Sequence, residues 1–131
     1  MISRFLLAAV ILAALSLNAG VTFAGGNDYT FEAVKPEMKK GDDVTLAVRL
    51  VHKPTGKPVS DAVIVRTRLD MAPDGMADME SPVSLLPSSE PGVYAFKTDL
   101  PMAGRYQLSV AARVQGEPET VVGKVIVKAS K

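Results

Sequence analysis

Residues 105–114 alternate without interruption: Tyr106, Leu108, Val110, Ala112 and Val114 fall on one parity, and Arg105, Gln107, Ser109, Ala111 and Arg113 on the other. A period of two sends these sets to opposite faces of a strand, one buried and one wet, whereas a helix would scatter both around its circumference. The rest of residues 29–127 repeats that pattern over shorter lengths. Runs at 29–34, 44–50, 59–69, 82–87, 93–98 and 120–127 are rich in apolar residues and separated by clusters of Gly, Pro, Asp or Ser. Val44, Leu46, Val48 and Leu50 share one face, while Lys39-Lys40-Gly41-Asp42-Asp43 ahead of them reads as a turn. In the third run Val63, Val65 and Leu69 alternate with Ile64, Arg66 and Arg68, which assigns the arginine side to solvent. Sustained helical periodicity is absent. Seven short strands at roughly 8 to 12 residue spacing predict an all-β, immunoglobulin-like antiparallel sandwich. Tyr106 stands at the entrance to the penultimate strand, where such sandwiches often carry a tyrosine whose hydroxyl bonds upstream backbone. A half-buried strand tyrosine with its hydroxyl in water is the other reading, and both are structural.

Ahead of the strands lies a different kind of segment. Arg4 is followed by an uncharged apolar run over 5–17, shorter than the roughly 20 residues of a membrane-spanning helix. That is the pattern of a secretory signal. Small residues before Gly25 place cleavage after Ala24, with Ala19 the alternative, dividing the chain into a signal peptide over 1–24 and one domain over 25–131. The expected location is periplasmic or secreted, with an uncleaved inner-membrane anchor as the alternative. Export usually brings disulfides, but this chain has no cysteine, so the core must hold without them and no thiolate serves as nucleophile or ligand. Of 15 Lys and Arg only Arg4 leaves with the signal, so 14 face 14 Asp and Glu. A balanced, unclustered charge gives no expectation of nucleic acid binding or of direct membrane binding after cleavage.

The chemistry concentrates in residues 69–80, Leu-Asp-Met-Ala-Pro-Asp-Gly-Met-Ala-Asp-Met-Glu, which hold three of the six methionines and four of the 14 acidic residues. Pro73-Asp74-Gly75 supplies a preset φ, a turn-favouring carboxylate and a residue that tolerates positive φ, so the segment is expected to double back. Met71, Met76 and Met79 then have the opportunity to converge, with Met102 from the turn before the sixth strand and His52, the one imidazole, as further donors. Thioether sulfur is soft and neutral, and it favours Cu(I) over Zn(II), Ca(II) or Mg(II). The competing reading has Met71 and one of Met76 or Met79 filling the apolar end of the sandwich. His52 between Val51 and Lys53 also reads as an ordinary strand-end residue.

Gly56-Lys57-Pro58-Val59-Ser60-Asp61-Ala62-Val63, the methionine segment, Pro91-Gly92-Val93-Tyr94 and Met102-Ala103-Gly104-Arg105-Tyr106 together resemble the YtkA-like family, related to FixH-type proteins. The resemblance implies an exported or membrane-tethered β-sandwich found beside heavy-metal efflux or copper-handling systems, with methionines after the third strand. Mapped here, those methionines are Met71, Met76 and Met79; unlike in richer members, no histidine lies within the segment.

Other chemistries find less support. Asp70, Asp74, Asp78 and Glu80 miss the ligand spacing of an EF-hand loop. No Gly-x-Ser-x-Gly elbow, second histidine or phosphate-cradling glycine loop is present, and no enzyme activity is expected. Two functions remain: a periplasmic module that binds or passes Cu(I), or a non-catalytic module docking its methionine end on a partner such as an efflux or oxidase-assembly component.

Overall fold

The computed structural model describes residues 28–131. The signal peptide assigned to 1–24 lies outside the described residues. Among these, ten strands run in chain order: β1 (Tyr29–Ala33), β2 (Glu37–Lys39), β3 (Gly41–His52), β4 (Lys57–Pro58), β5 (Val63–Met71), β6 (Met76–Ser81), β7 (Val83–Leu86), β8 (Val93–Leu100), β9 (Gly104–Arg113) and β10 (Val121–Ser130). They form two five-stranded sheets. One has the order β1-β3-β8-β7 with β4 on β3, the other β2-β10-β9-β5-β6. No helix among the described residues is long and apolar enough to cross a membrane.

The seven runs recognised by alternation are β1, β3, β5, β7, β8, β9 and β10, and the fold is the immunoglobulin-like sandwich that their spacing predicts. Pairing is antiparallel except where β2 lies parallel to β10. The chain leaves β1 after Ala33 and crosses to the other sheet, where the Pro36 carbonyl accepts from Lys128 N–H at 2.8 Å just before β2 begins.

The core lies between the inner faces. Leu46, Val48 and Leu50 of β3 and Phe96 of β8 meet Leu69, Tyr106, Leu108, Val110 and Val125 from the opposite sheet. Tyr106 is buried, and its hydroxyl donates to Met102 O at 2.8 Å and accepts from Met102 N–H at 3.2 Å, which settles the two readings in favour of the upstream backbone bond.

Two local expectations need correction. Asp42 and Asp43 belong to β3 rather than to a turn, with a register shift between Gly41 and Val44. In β5 a second shift between Ile64 and Arg66 makes Val65 an extra residue. Ile64 therefore sits opposite Ala112 and packs on the core, while Val63 and Val65 are 61% and 49% exposed. From Thr67 onward the expected alternation holds, and Arg66 and Arg68 do face solvent.

Candidate functional site

Residues 69–80 fold back as the sequence requires. β5 ends in three buried residues, Leu69, Asp70 and Met71. A 3-10 turn over Ala72–Asp74 follows, with Pro73 in its first positions, and Gly75 closes it in the left-handed region at φ 77° and ψ 15°. β6 then returns along β5, pairing Met71 with Met76, Asp70 with Glu80 and Leu69 with Ser81. The register shift between Asp70 and Met71 means that the β6 side carries more residues than the β5 side over this span.

The five sulfur and nitrogen candidates do not form one cluster. Met71 is 1% exposed and fills the end of the core; a Cβ on Gly104 would fall 2.6 Å from its Cε. Met76, its cross-strand partner, packs against the same core. Met102 lies two residues before Gly104 and is 38% exposed, so Met71, Met76 and Met102 share one end of the sandwich. Met79, farther along β6, is 44% exposed. His52 is at the other end. Gly41 pairs with Leu100 beside the Met102 turn, and at ~3.3 Å per residue the length of β3 puts His52 about 36 Å away. His52 therefore cannot join the methionines. Its Nδ1 lies 2.9 Å from Thr55 Oγ1 and its ring packs against Tyr29 at a centroid distance of 5.1 Å. Tyr29 donates to Glu117 at 2.7 Å, and burial followed by that bond pushes the phenol up to about 12.

Two arginines hold the hairpin in shape. Arg68 donates from Nε to Asp70 at 2.8 Å and from one terminal nitrogen to Ala77 O at 2.6 Å, while the other pairs with Glu80 at 2.7 Å. One guanidinium thus ties β6 to β5. Arg105 donates its backbone N–H and its Nε to the two oxygens of Asp74, both at 2.8 Å, and another nitrogen to Pro73 O at 2.7 Å. That fixes the turn to the start of β9. Asp70, Asp74 and Glu80 are consequently each engaged by an arginine. Among the described residues, no group of three or more His, Asp or Glu side chains is placed to hold a metal ion. Sequence reasoning missed both clamps. Arg68 and Asp70 had a local signal, since residues two apart on a strand share a face; Arg105 and Asp74 are separated by 31 residues and had none.

These bonds set a pH dependence. Burial pushes the Asp70 carboxyl up, but the Ala72 N–H and the Arg68 guanidinium outweigh it and the net direction is down. Asp74 is lowered by the Arg105 N–H and then by its guanidinium. A carboxyl depressed on folding contributes stability above its unfolded value near 3.9, and that contribution is lost as pH falls through the lower folded value. Asp70→Asn is expected to lower the melting temperature at neutral pH, the direct loss being about 1.5–3 kcal/mol for a hydrogen bond to a charged group, less the share that the half-exposed Arg68 recovers from water. Melting curves below about pH 4 should show the variant converging on the unmodified protein. A difference that stays constant to pH 2 would remove the carboxylate from the account.

A family model described as YtkA-like matches residues 23–111. Among solved structures, the chain is similar to the ZirS C-terminal domain, at 12% identity and a TM-score of 0.44, with 86% of this chain and 74% of that chain covered. It is also similar to the M1 domain from titin, at 8% identity and a TM-score of 0.37, covering 78% and 90% respectively. No curated protein sequence matches the chain.

Proposed function

The chain belongs to the YtkA-like family, whose model spans residues 23–111, and from that premise we propose that it is an exported, non-catalytic module that holds and passes Cu(I) or a similarly soft ion at the β5–β6 end. The observation that carries this reading is the gathering of thioethers from two separate turns: Met71 and Met76 are paired, and the Met71 methyl reaches Gly104 beside Met102. The donor set fits the ion. It offers neutral soft sulfur with no thiolate to oxidise, and of the neighbouring carboxylates Asp70, Asp74 and Glu80 are engaged by Arg68 and Arg105. Met76 and Met102 at that end, with the exposed Met79 farther along β6, are the accessible thioethers, and Met71 is sealed in the core beside Gly104. Weak, exchangeable thioether bonds suit transfer, with efflux or oxidase-assembly components as the partners. The basic and apolar pattern of residues 1–24 supports export.

A second reading has one specific observation in its favour. Met71 is sealed at 1% exposure while Met79 and Met102 are 44% and 38% exposed, so the exposed pair also suits adaptable apolar contact with a membrane-complex partner. Competition for Cu(I) against a chromophoric chelator separates the two. Changing Met76, Met79 and Met102 together to Leu keeps the apolar contact and removes the sulfur. Copper retention is expected to fall at least about tenfold, each tenfold being about 1.4 kcal/mol, with Met71→Leu much closer to the unmodified protein. If the triple variant retains copper as the parent does, the copper reading is discarded and docking remains.

A further inference from the structure

The balanced charge of residues 28–131 is not evenly distributed. On the outer face of the second sheet, three rows cross β5, β9 and β10: Arg66 with Ala111 and Val122, Arg68 with Ser109 and Lys124, and Asp70 with Gln107 and Ile126. In the first two rows the middle strand contributes only Ala111 and Ser109, so Arg66, Arg68, Val122 and Lys124 stand as ridges on either side of it. Asp70 is buried and bonded to Arg68, and Glu80 is bonded to Arg68 as well. Arg66, Arg113, Lys124 and Lys128 form no ion pair among the described residues, although Glu37 of β2 is the strand neighbour of Lys128. Between these cations Val122 and Ile126 are 61% and 47% exposed. An open cleft of about 160 Å³ lies between Arg66, Arg68, Ser109, Ala111 and Val122.

We propose that this face binds an acidic polypeptide segment of a partner protein, with a Glu or Asp side chain entering the cleft beside Arg66. Charge complementarity selects the occupant: the face offers Arg66 and Lys124 without ion-pair partners among the described residues, and no carboxylate lines the cleft. Size selects further, because pockets for drug-sized ligands measure roughly 300–1,000 Å³ and this cleft has room for a single side chain. A guanidinium takes a carboxylate through two parallel bonds, which makes Arg66 the anchor. Val122 and Ile126 supply apolar contact alongside it, and buried arginine next to apolar residues is where interface energy concentrates. A lipid surface fits less well. The chain has no Trp, and no Tyr lies on this face to settle at a headgroup boundary. None of these residues is a thioether, so the surface is independent of the copper reading.

The probe is a fluorescent peptide of alternating Glu and Val, followed by polarisation with the full mature domain. Binding is expected to be saturable and to weaken steeply with salt, and the corresponding Lys-Val peptide should not bind. Arg66→Glu with Lys124→Gln should weaken it at least about tenfold while moving the melting temperature by no more than the equivalent of about 0.5 kcal/mol, since both side chains are exposed and form no ion pair, and neutral Gln sets no repelling charge beside Asp70. Arg68 is left alone because it holds the hairpin. Undetectable binding, or binding unaffected by the double variant, overturns the proposal. Sedimentation with phosphatidylglycerol vesicles that the Glu-Val peptide does not compete away also overturns it, and assigns the face to lipid.

Discussion

Leu46→Asp is expected to leave the domain unfolded at room temperature, with no cooperative thermal transition by circular dichroism. Leu46 is 1% exposed at the centre of β3, paired with Phe96 of β8 and facing the second sheet. Emptying a leucine site costs about 2–5 kcal/mol. The new carboxylate would also lie in an apolar layer with no partner, which costs several kcal/mol more or forces it to bind a proton. Together these reach the whole stability of a typical domain, about 5–15 kcal/mol, and no disulfide is present to restrain the chain. Val110→Asp, 1% exposed on β9, should behave alike from the other sheet. Val122→Asp is the control. It adds the same charge on the outward parity of β10 at a residue 61% exposed, and it should melt within about 0.5 kcal/mol of the parent. A sharp transition retained in Leu46→Asp would mean that the inward faces are wrongly assigned.

That contrast rests on a pattern readable without coordinates, and it also shows where such reading stops. β3, β9 and β10 were legible because their buried large apolar side chains all lie on the core side, so burial imposes the period of two that alternation detects, the one buried outward residue of β9 being the small Ala111. β2, β4 and β6 were not, because they are mostly exposed edge pieces of two to six residues and no face has to be apolar. In β5 the residue types pointed the wrong way before Thr67: Val63 and Val65 invited burial, and a bulge, which has no signature in residue type, shifted the inward position to Ile64. At the hairpin, Pro73-Asp74-Gly75 announced the turn through local backbone preference. Which methionine would be sealed and which exposed depended on contacts with Gly104, 33 residues beyond Met71, and nothing local encodes them. The separation of His52 likewise follows from strand direction, which appears only once β3 is paired with β8.

Gly123→Val should be strongly destabilising although it adds no charge and removes no contact. The inward row of β10 reads Val121, Gly123, Val125, Val127 and Ala129, and by residue preference Gly123 is its weak point. The packing reverses that judgement. A Cβ on Gly123 would fall 2.3 Å from Cδ1 and 3.0 Å from Cε1 of Phe31, a buried aromatic ring on β1 of the opposite sheet. The missing side chain is therefore the space that lets the ring close the sandwich between its first and last long strands. A ring has no flexible end to move aside, so β1 must shift or the sheets must part, and the cost is placed at the top of the usual overpacking range, about 3 kcal/mol. For a domain near 100 residues that is a fall of roughly 12–24 °C in melting temperature, at about 4–8 °C per kcal/mol. Phe31→Ala alone should cost about 3–5 kcal/mol through the cavity that it leaves. Combined, the two should offset each other, because valine at 123 occupies part of the volume vacated at 31. The double variant is expected to be more stable than the sum of the single losses allows, by about 1 kcal/mol or more. Strict additivity would show that Gly123 is required for some reason other than the ring across from it.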